Sequence, residues 1–566
     1  MTFVTENEPK KKERRFYKAR DTPNFALCIL FGFQQVMVCV SALLTIPFLL
    51  ASFLCAGEDE YKLRAELIAS TFVSSGISTI IQTMFGFRLA LLQGTAFAYI
   101  PSIESYMKLR ENKCNFGANS TVDSSLYYGH LSTIQGALIL SSLVPIFIGM
   151  TGIVGKLTKL IGPITVSPLI LLLVISSVNM TVTRIAQHWV SIIQVATLVA
   201  TTLYLAETRV PIPGWKNGKF HWFHVTLFGQ YPYLIAIMIS WLFCVFLTIT
   251  NLIPEGSAAR VDKPTSIEVI QNSAWVAVPY PGKFGFPQFN LGLFCAFLLS
   301  AMTSVFESVG DYHAAARVSQ ERSPPSHAIN RGIMSEGLGS FISGWLGPGV
   351  GMTTHTENIG VIGVTKVASR WTMCVAGLML ICLGLFTKVG AILSTLPEPI
   401  VGGVLGTSMA MVGGVAIANL HQVDLSLSRN MGIIGFSVMV GLVVPEYFRR
   451  FPVDTGVDLV NQVLQILLTL QMFVGAMTAC ILDNTVGGAT REQRGLQSRG
   501  KIHEVALEDD VYSYPKPIMK LLSKLPYIEY IPFLPKEKRV KANKVTSSAQ
   551  ENGDFAVTII QNDGNE

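Results

Sequence analysis

Residues 347–366 read Gly347-Pro348-Gly349-Val350-Gly351-Met352-Thr353-Thr354-His355-Thr356-Glu357-Asn358-Ile359-Gly360-Val361-Ile362-Gly363-Val364-Thr365-Lys366. The stretch lies between apolar segments, yet it is too short, too polar and too broken by glycine to form one helix of the roughly 20 residues that cross a bilayer. It reads instead as an extended piece followed by a half helix. The same oddity stands earlier in the chain, at Leu91-Leu92-Gln93-Gly94-Thr95-Ala96-Phe97-Ala98-Tyr99-Ile100-Pro101. Unwound backbone is tolerated at membrane depth only where protein or a water-filled cavity surrounds it, so paired interruptions in corresponding positions of two halves point to a transporter's binding site. The alternative is that the glycines only let helices pack closely. With a broken third element in each half, the chain divides into two repeats of about seven spans, and an odd number of spans per repeat inverts the second half.

The surrounding sequence agrees with a membrane setting. Half of the 566 residues are apolar and 14% are charged, and the mean hydropathy is +0.45, above the values of soluble globular chains. Apolar stretches recur from residue 24 to about residue 483, about fourteen in all. The fold class expected is therefore an all-α polytopic membrane protein with about fourteen spans, extended segments and half helices replacing full helices in spans 3 and 10. Residues 1–23 form a basic arm, residues 24–486 the transmembrane domain, and residues 487–566 a tail.

The arm's run Lys10-Lys11-Lys12-Glu13-Arg14-Arg15 precedes the first span by too many residues, and that span is too long, for a cleaved secretory signal. Arg88, Lys156, Arg317, Arg322 and Lys366 fall in or near breaks that an even number of spans, starting inside, leaves in the cytosol. Both termini are expected there, with the plasma membrane as the bilayer, and the net charge of +6 reads as an orientation signal rather than a nucleic-acid surface. The nine cysteines form no CxxC or cysteine–histidine cluster, so neither a metal centre nor another cofactor is expected. Cys55 and Cys114 both fall on the outer side, where they could pair. Asn119-Ser120-Thr121 is an outer sequon for a glycan.

Two carboxylates, Glu307 and Glu357, dominate the chemistry. In the eighth span, Glu307 and Asp311 stand four residues apart, hence on one helical face. An acidic group at a helix centre costs about 2.5 to 3.5 kcal/mol on insertion scales and usually faces a cavity. Glu307 is the deeper. Asp311 lies a turn nearer the cytosol, where a structural pairing near Arg317 competes with a functional role. Glu357 and Asn358 begin the second half helix, where unpaired backbone N–H groups adjoin a strong acceptor. Together they can grip a planar molecule bearing both C=O and N–H groups. Asn358 could equally cap the half helix. Phe97 offers a stacking face for a flat ring, although packing is the usual role of a membrane phenylalanine.

Glu357-Asn358-Ile359-Gly360, continuing through Thr365 and Lys366, is similar to the signature of the nucleobase-ascorbate transporter family (the xanthine/uracil permease type, with its animal solute carrier family 23 branch). The resemblance extends to Phe306-Glu307-Ser308-Val309-Gly310-Asp311-Tyr312, to Gln93-Gly94-Thr95-Ala96-Phe97-Ala98, to Pro325-Ser326-His327-Ala328-Ile329-Asn330-Arg331-Gly332 and to Leu482-Asp483-Asn484-Thr485-Val486. It implies fourteen spans in two inverted repeats, a core of spans 1–4 and 8–11, a gate of spans 5–7 and 12–14, and a homodimer. It also implies that Glu307 and Glu357 hold the substrate while Phe97 packs on it, with Ala96, Thr356 and Asn358 beside them. Asp311, Gln34 and Thr365 are the positions expected to serve cation coupling or gating. Many members have Gln-His where this chain has Gln34-Gln35, which removes any role resting on that histidine.

Cation-coupled symport of uracil or purine bases is the leading expectation, with Na+ or H+ as the coupling ion. Sodium-dependent ascorbate transport is the nearest alternative. Vertebrate ascorbate carriers of the family have Pro where this chain has Glu357, and ascorbate is an anion at neutral pH. Like unit charges 4 Å apart at an effective dielectric of about 20 repel by roughly 4 kcal/mol, so a second carboxylate favours a neutral base. An intramembrane enzyme is disfavoured: Ser308-Val309-Gly310-Asp311 lacks the first glycine of the membrane aspartyl proteases, and no His-Glu-x-x-His motif is present. A channel remains a further class, distinguished from a carrier by saturable uptake driven by a cation gradient.

Overall fold

The computed structural model describes residues 16–109, 122–154, 160–216, 219–496, 510–522 and 531–535. The first half comprises α1 (Phe25–Phe53), α2 (Glu60–Met84), strand β1 (Gln93–Thr95) with the half helix α3 (Ile100–Met107), α4 (Ser124–Thr151), α5 (Pro163–Ser176) followed by α6 (Val178–Ile185), and α7 (Val190–Val199). A hairpin of β2 (Val210–Lys216) and β3 (Lys219–Val225) precedes α8 (Pro232–Ile249). The second half repeats the plan with α9 (Leu291–Val318), α10 (Ser326–Leu346), strand β4 (Met352–Thr354) with the half helix α11 (Thr356–Thr365), and α12 (Arg370–Leu385) with α13 (Thr387–Ser394). It ends with α14 (Glu398–Leu420), α15 (Ser428–Arg450), α16 (Asp458–Thr469) and α17 (Gln471–Thr485).

Among the described residues, eight helices are long and apolar enough to cross a membrane. Two further pairs, α12 with α13 and α16 with α17, pass the same test together while bending by 78° and 77°. Large apolar side chains such as Ile192, Leu242, Phe246, Phe436 and Met439 point outward, as lipid-facing surfaces do. Helix association in lipid relies on close packing rather than on removal of apolar surface from water. The contact of α2 with α12 shows how: a Cβ added to Gly76 would stand 2.4 Å from the carbonyl oxygen of Gly377, an approach that a side chain forbids.

The all-α expectation needs one amendment, because β2 and β3 pair antiparallel from Val210↔Val225 to Lys216↔Lys219. Asn217-Gly218 between them is the sequence signal for a two-residue hairpin connection. Cys55 is disulfide-bonded; Cys114 and the sequon at Asn119 lie outside the described residues.

The largest apolar cluster gathers Leu49 and Leu50 of α1, Ile103 of α3, Leu131 of α4, Phe297 of α9 and Val350 just before β4. It flanks one end of the point where the two interrupted elements meet, through Ala96 and Val350.

Candidate functional site

The interrupted elements cross as a two-stranded antiparallel sheet: Gln93 pairs with Thr354, Gly94 with Thr353 and Thr95 with Met352. The ladder continues at both ends, with the Ala96 N–H donating to the Gly351 carbonyl at 2.9 Å and the His355 N–H to the Leu92 carbonyl at 3.0 Å. Helix α2 completes it, since Thr79 Oγ1 accepts the Gln93 N–H at 2.9 Å and the Ser75 hydroxyl donates to the Gln93 carbonyl. Polar backbone that no helix satisfies is thereby paired inside the protein. Strand β4 turns directly into α11, whose first N–H groups have no intrahelical acceptor and carry the positive end of the helix dipole, whereas a 3-10 turn at Phe97–Tyr99 joins β1 to α3 and its Phe97 carbonyl accepts the Ile100 N–H.

Four carboxylates surround this crossing. Glu336 of α10, a residue the sequence analysis did not single out, accepts from Ser308 Oγ at 2.5 Å, Thr354 Oγ1 at 2.6 Å, Tyr312 OH at 2.8 Å and Gln93 Nε2 at 3.3 Å. Its signal was present as an acidic residue in a span otherwise rich in glycine and serine, but the chain nearby offered no motif of its own. Asp311 accepts the Thr356 hydroxyl, which stands 3.2 Å from each carboxylate oxygen. Glu357 Oε2 lies 3.3 Å from His355 Nδ1. Glu307 is different: it is partly exposed, and among the described residues no hydrogen bond or ion pair reaches its carboxylate.

Glu307 lies within electrostatic reach of Glu357 and Glu336, and Asp311 within reach of all three. Charges of one sign gathered in one site repel one another. Four donors offset the burial of Glu336, which makes it the hub joining α9, α10 and both strands. Glu307 retains its full acceptor capacity, open to a cation or to the N–H groups of a bound solute.

The remaining predicted residues divide by environment. Asn358 is fully enclosed: its Oδ1 accepts the Leu92 N–H at 3.1 Å and its Nδ2 donates to Gln35 Oε1 at 2.7 Å, tying α11 to β1 and α1. Thr365 Oγ1 donates back to the Val361 carbonyl at 2.8 Å. Gln34 is buried on α1, and its Nε2 has no partner among the described residues. Ala96 is buried at the end of β1, while the partly buried Phe97 faces Leu173, Leu405 and Met409 across a narrow gap. Tyr233 of α8 comes within electrostatic reach of Glu357.

A separate cavity of about 1160 Å³ opens at the ends of α1, α2, α3, α6 and α14 and is lined by Glu60, Arg64, Lys108, Arg184, Arg260 and Glu398 among others. Arg64 pairs with Glu60 at 2.5 Å and with Glu398, and Arg184 Nε lies 2.9 Å from Glu398 Oε2.

Comparison with known proteins adds a second line of observation. Residues 27–450 match the model of a family described as "Permease family", of the xanthine/uracil type. The chain is 36% identical over 536 residues to solute carrier family 23 member 2 of Rattus norvegicus, covering 92% of this chain and 82% of that protein. It is 37% identical to solute carrier family 23 member 1 of Mus musculus, over 92% of this chain and 88% of the relative. It is also 27% identical to nucleobase-ascorbate transporter 11 of Arabidopsis thaliana, over 88% and 73% of the two chains.

Proposed function

We propose that this chain, which belongs to the xanthine/uracil permease family of multi-pass membrane transporters, carries neutral nucleobases by cation-coupled symport. The observation that carries the reading is Glu307, a carboxylate without a partner among the described residues beside the crossing of the two interrupted elements. A uracil or purine ring presents N–H donors and C=O acceptors along one edge. Glu307 and Glu357 accept the N–H groups, backbone N–H groups at the start of α11 donate to the carbonyls, and Phe97 covers the ring face. Ala96 and Thr356 border the same space.

A solute that is already an anion meets Glu307, Glu357 and Asp311 at a repulsive cost of several kcal/mol. This favours a base over ascorbate, although the Arabidopsis thaliana relative carries both solute classes in its name. A cation, Na+ or H+, offsets the same negative charge, and Asp311 with its Thr356 partner is the position where we place the coupling ion or the gate. Gln34 and Thr365 are the further positions we assign to coupling or gating.

The transport reading takes α1–α4 and α9–α13 as the core, α5–α8 and α14–α17 as the gate, and each interrupted strand with its half helix as one span. Adding those two elements, α7 and α10 to the long helices and bent pairs gives fourteen spans in two inverted repeats. The termini then lie in the cytosol, the bilayer is the plasma membrane and the assembly is a homodimer.

Uptake of labelled uracil, xanthine, hypoxanthine and ascorbate into cells expressing the protein, with and without sodium, tests the substrate and the ion together. Saturable, gradient-driven entry of at least one base is expected. Uptake of ascorbate with none of the bases would overturn the nucleobase assignment.

A further inference from the structure

His355 is the residue before the half helix α11, and the substrate reading gives it no role. Its ring is buried, at 5% exposure. Nδ1 lies 3.3 Å from Glu357 Oε2, and Nε2 has no hydrogen-bond partner among the described residues. The ring rests on the backbone of β1: a Cβ built on Gly94 would stand 1.9 Å from Nε2 and 2.2 Å from Cδ2. The His355 N–H is held by the Leu92 carbonyl at 3.0 Å, so both the main chain and the ring are pinned against the first interrupted element.

We infer that His355 is a positioning residue for substrate recognition: it donates its Nδ1–H to Oε2 of Glu357, fixes that carboxylate, and leaves Oε1 to meet the N–H of the bound solute. The inference rests on the reading of Glu357 as a substrate-binding group. An ionised carboxylate can only accept, so a hydrogen bond between these groups requires the imidazole proton on Nδ1. Nε2 faces Gly94, which has no side chain, and finds no hydrogen-bond partner among the described residues. Glu357 is thus the polar group that the ring addresses.

This arrangement also assigns a purpose to Gly94 within Gln93-Gly94-Thr95-Ala96-Phe97-Ala98. Any side chain there displaces the imidazole, and with it the aim of Glu357. The two repeats are therefore coupled at the site by a steric fit as well as by strand pairing. A long acceptor on a rotatable side chain is turned into a fixed one, and fixing a binding group before the ligand arrives raises affinity by reducing the ordering cost of binding.

The test uses the full chain in cells, with initial uptake rates of a labelled base measured at matched surface expression. His355→Leu should raise KM about tenfold or more, with a maximal rate changed by no more than about twofold, the size expected for loss of one charge-assisted hydrogen bond. His355→Asn keeps a short N–H donor near the position of Nδ1 and should recover most of that affinity. Gly94→Ala should raise KM in the wild-type background but much less in the His355→Asn background, because the smaller amide leaves room for the methyl group. Such non-additivity marks two residues acting through one contact.

Wild-type KM in His355→Leu, an equal loss in the leucine and asparagine variants, or additive effects of Gly94→Ala would each overturn the inference. If His355→Leu does not reach the surface, the Gly94→Ala pair decides. Wild-type protein that takes up ascorbate and no base defeats the nucleobase reading alone. The same variants, read on ascorbate, then still decide whether His355 aims Glu357.

Discussion

Glu307 and Glu336 illustrate how two carboxylates in one cluster, one partly exposed and one buried, can serve opposite ends. Glu336 is surrounded by four donors from α9 and the two strands, whereas Glu307 has none among the described residues. Glu307→Gln keeps the shape but removes the charge, and a hydrogen bond to a charged group contributes about 1.5 to 3 kcal/mol, so base affinity should fall roughly ten- to a hundredfold with normal thermal stability. Competition uptake at matched surface expression checks this, and an unchanged affinity removes Glu307 from the binding site. Glu336→Gln should do the reverse at first: its amide donor faces hydroxyls and an amide that already donate, leaving donors unpaired at about 1 to 3 kcal/mol. The purified variant should melt at a lower temperature, and wild-type melting behaviour would argue against the hub.

At the scale of elements, the interrupted stretches were legible because glycine, threonine and proline stand where a helix requires continuous formers, and membrane physics allows few other uses for such backbone. Their pairing with each other was not legible. Gln93 and Thr354 are 261 positions apart, and a three-residue strand carries no alternation pattern that would name its partner. Asn358 was ambiguous for a related reason. An asparagine at a half-helix start suits either a cap or a ligand, and only the geometry places its amide between Leu92 and Gln35. Glu336 escaped notice because no motif marks it in its own helix, and the donors that make it a hub come from α9 and the two strands. The crossing yields its own prediction. Asn358→Ala strips both bonds, so it should destabilise the fold by about 1 to 3 kcal/mol, and Gln35→Ala should add less to it than it costs alone. Thermal unfolding of the two single variants and the double variant measures this coupling, and strictly additive shifts would count against the tie between α1 and α11.

For the whole molecule, a carrier must expose its site alternately to the two sides, and the ion-pair cluster at the separate cavity, which the proposed topology puts on the outer side, lies where such a movement would be felt. Helix α2 packs on α1, α10, α12 and α13, whereas α14 packs chiefly on α5, α6 and α7. Glu398, at the start of α14, reaches out of its own group to Arg64 of α2, and Arg184 of α6 binds both Glu398 and Ser52 of α1, the latter at 2.9 Å. Arg64 is held further by Glu60 and lies 4.6 Å over the ring of Phe48. Opening the cavity between these helices separates partners that are largely shielded from water, and removing one partner of such a pair leaves the other charge uncompensated. Glu398→Gln therefore weakens the closed arrangement more than the open one, in which Arg64 and Arg184 regain water. A shift of one to two kcal/mol, about 5- to 30-fold in population, should appear as faster labelling of a cysteine introduced at Met180, which lines both the cavity and the gap beside Phe97. A membrane-impermeant maleimide applied from outside reads this rate directly. Equal rates in the Glu398→Gln and parent backgrounds, at equal surface expression, would mean that the cluster only braces the outer end and has no part in the transport movement.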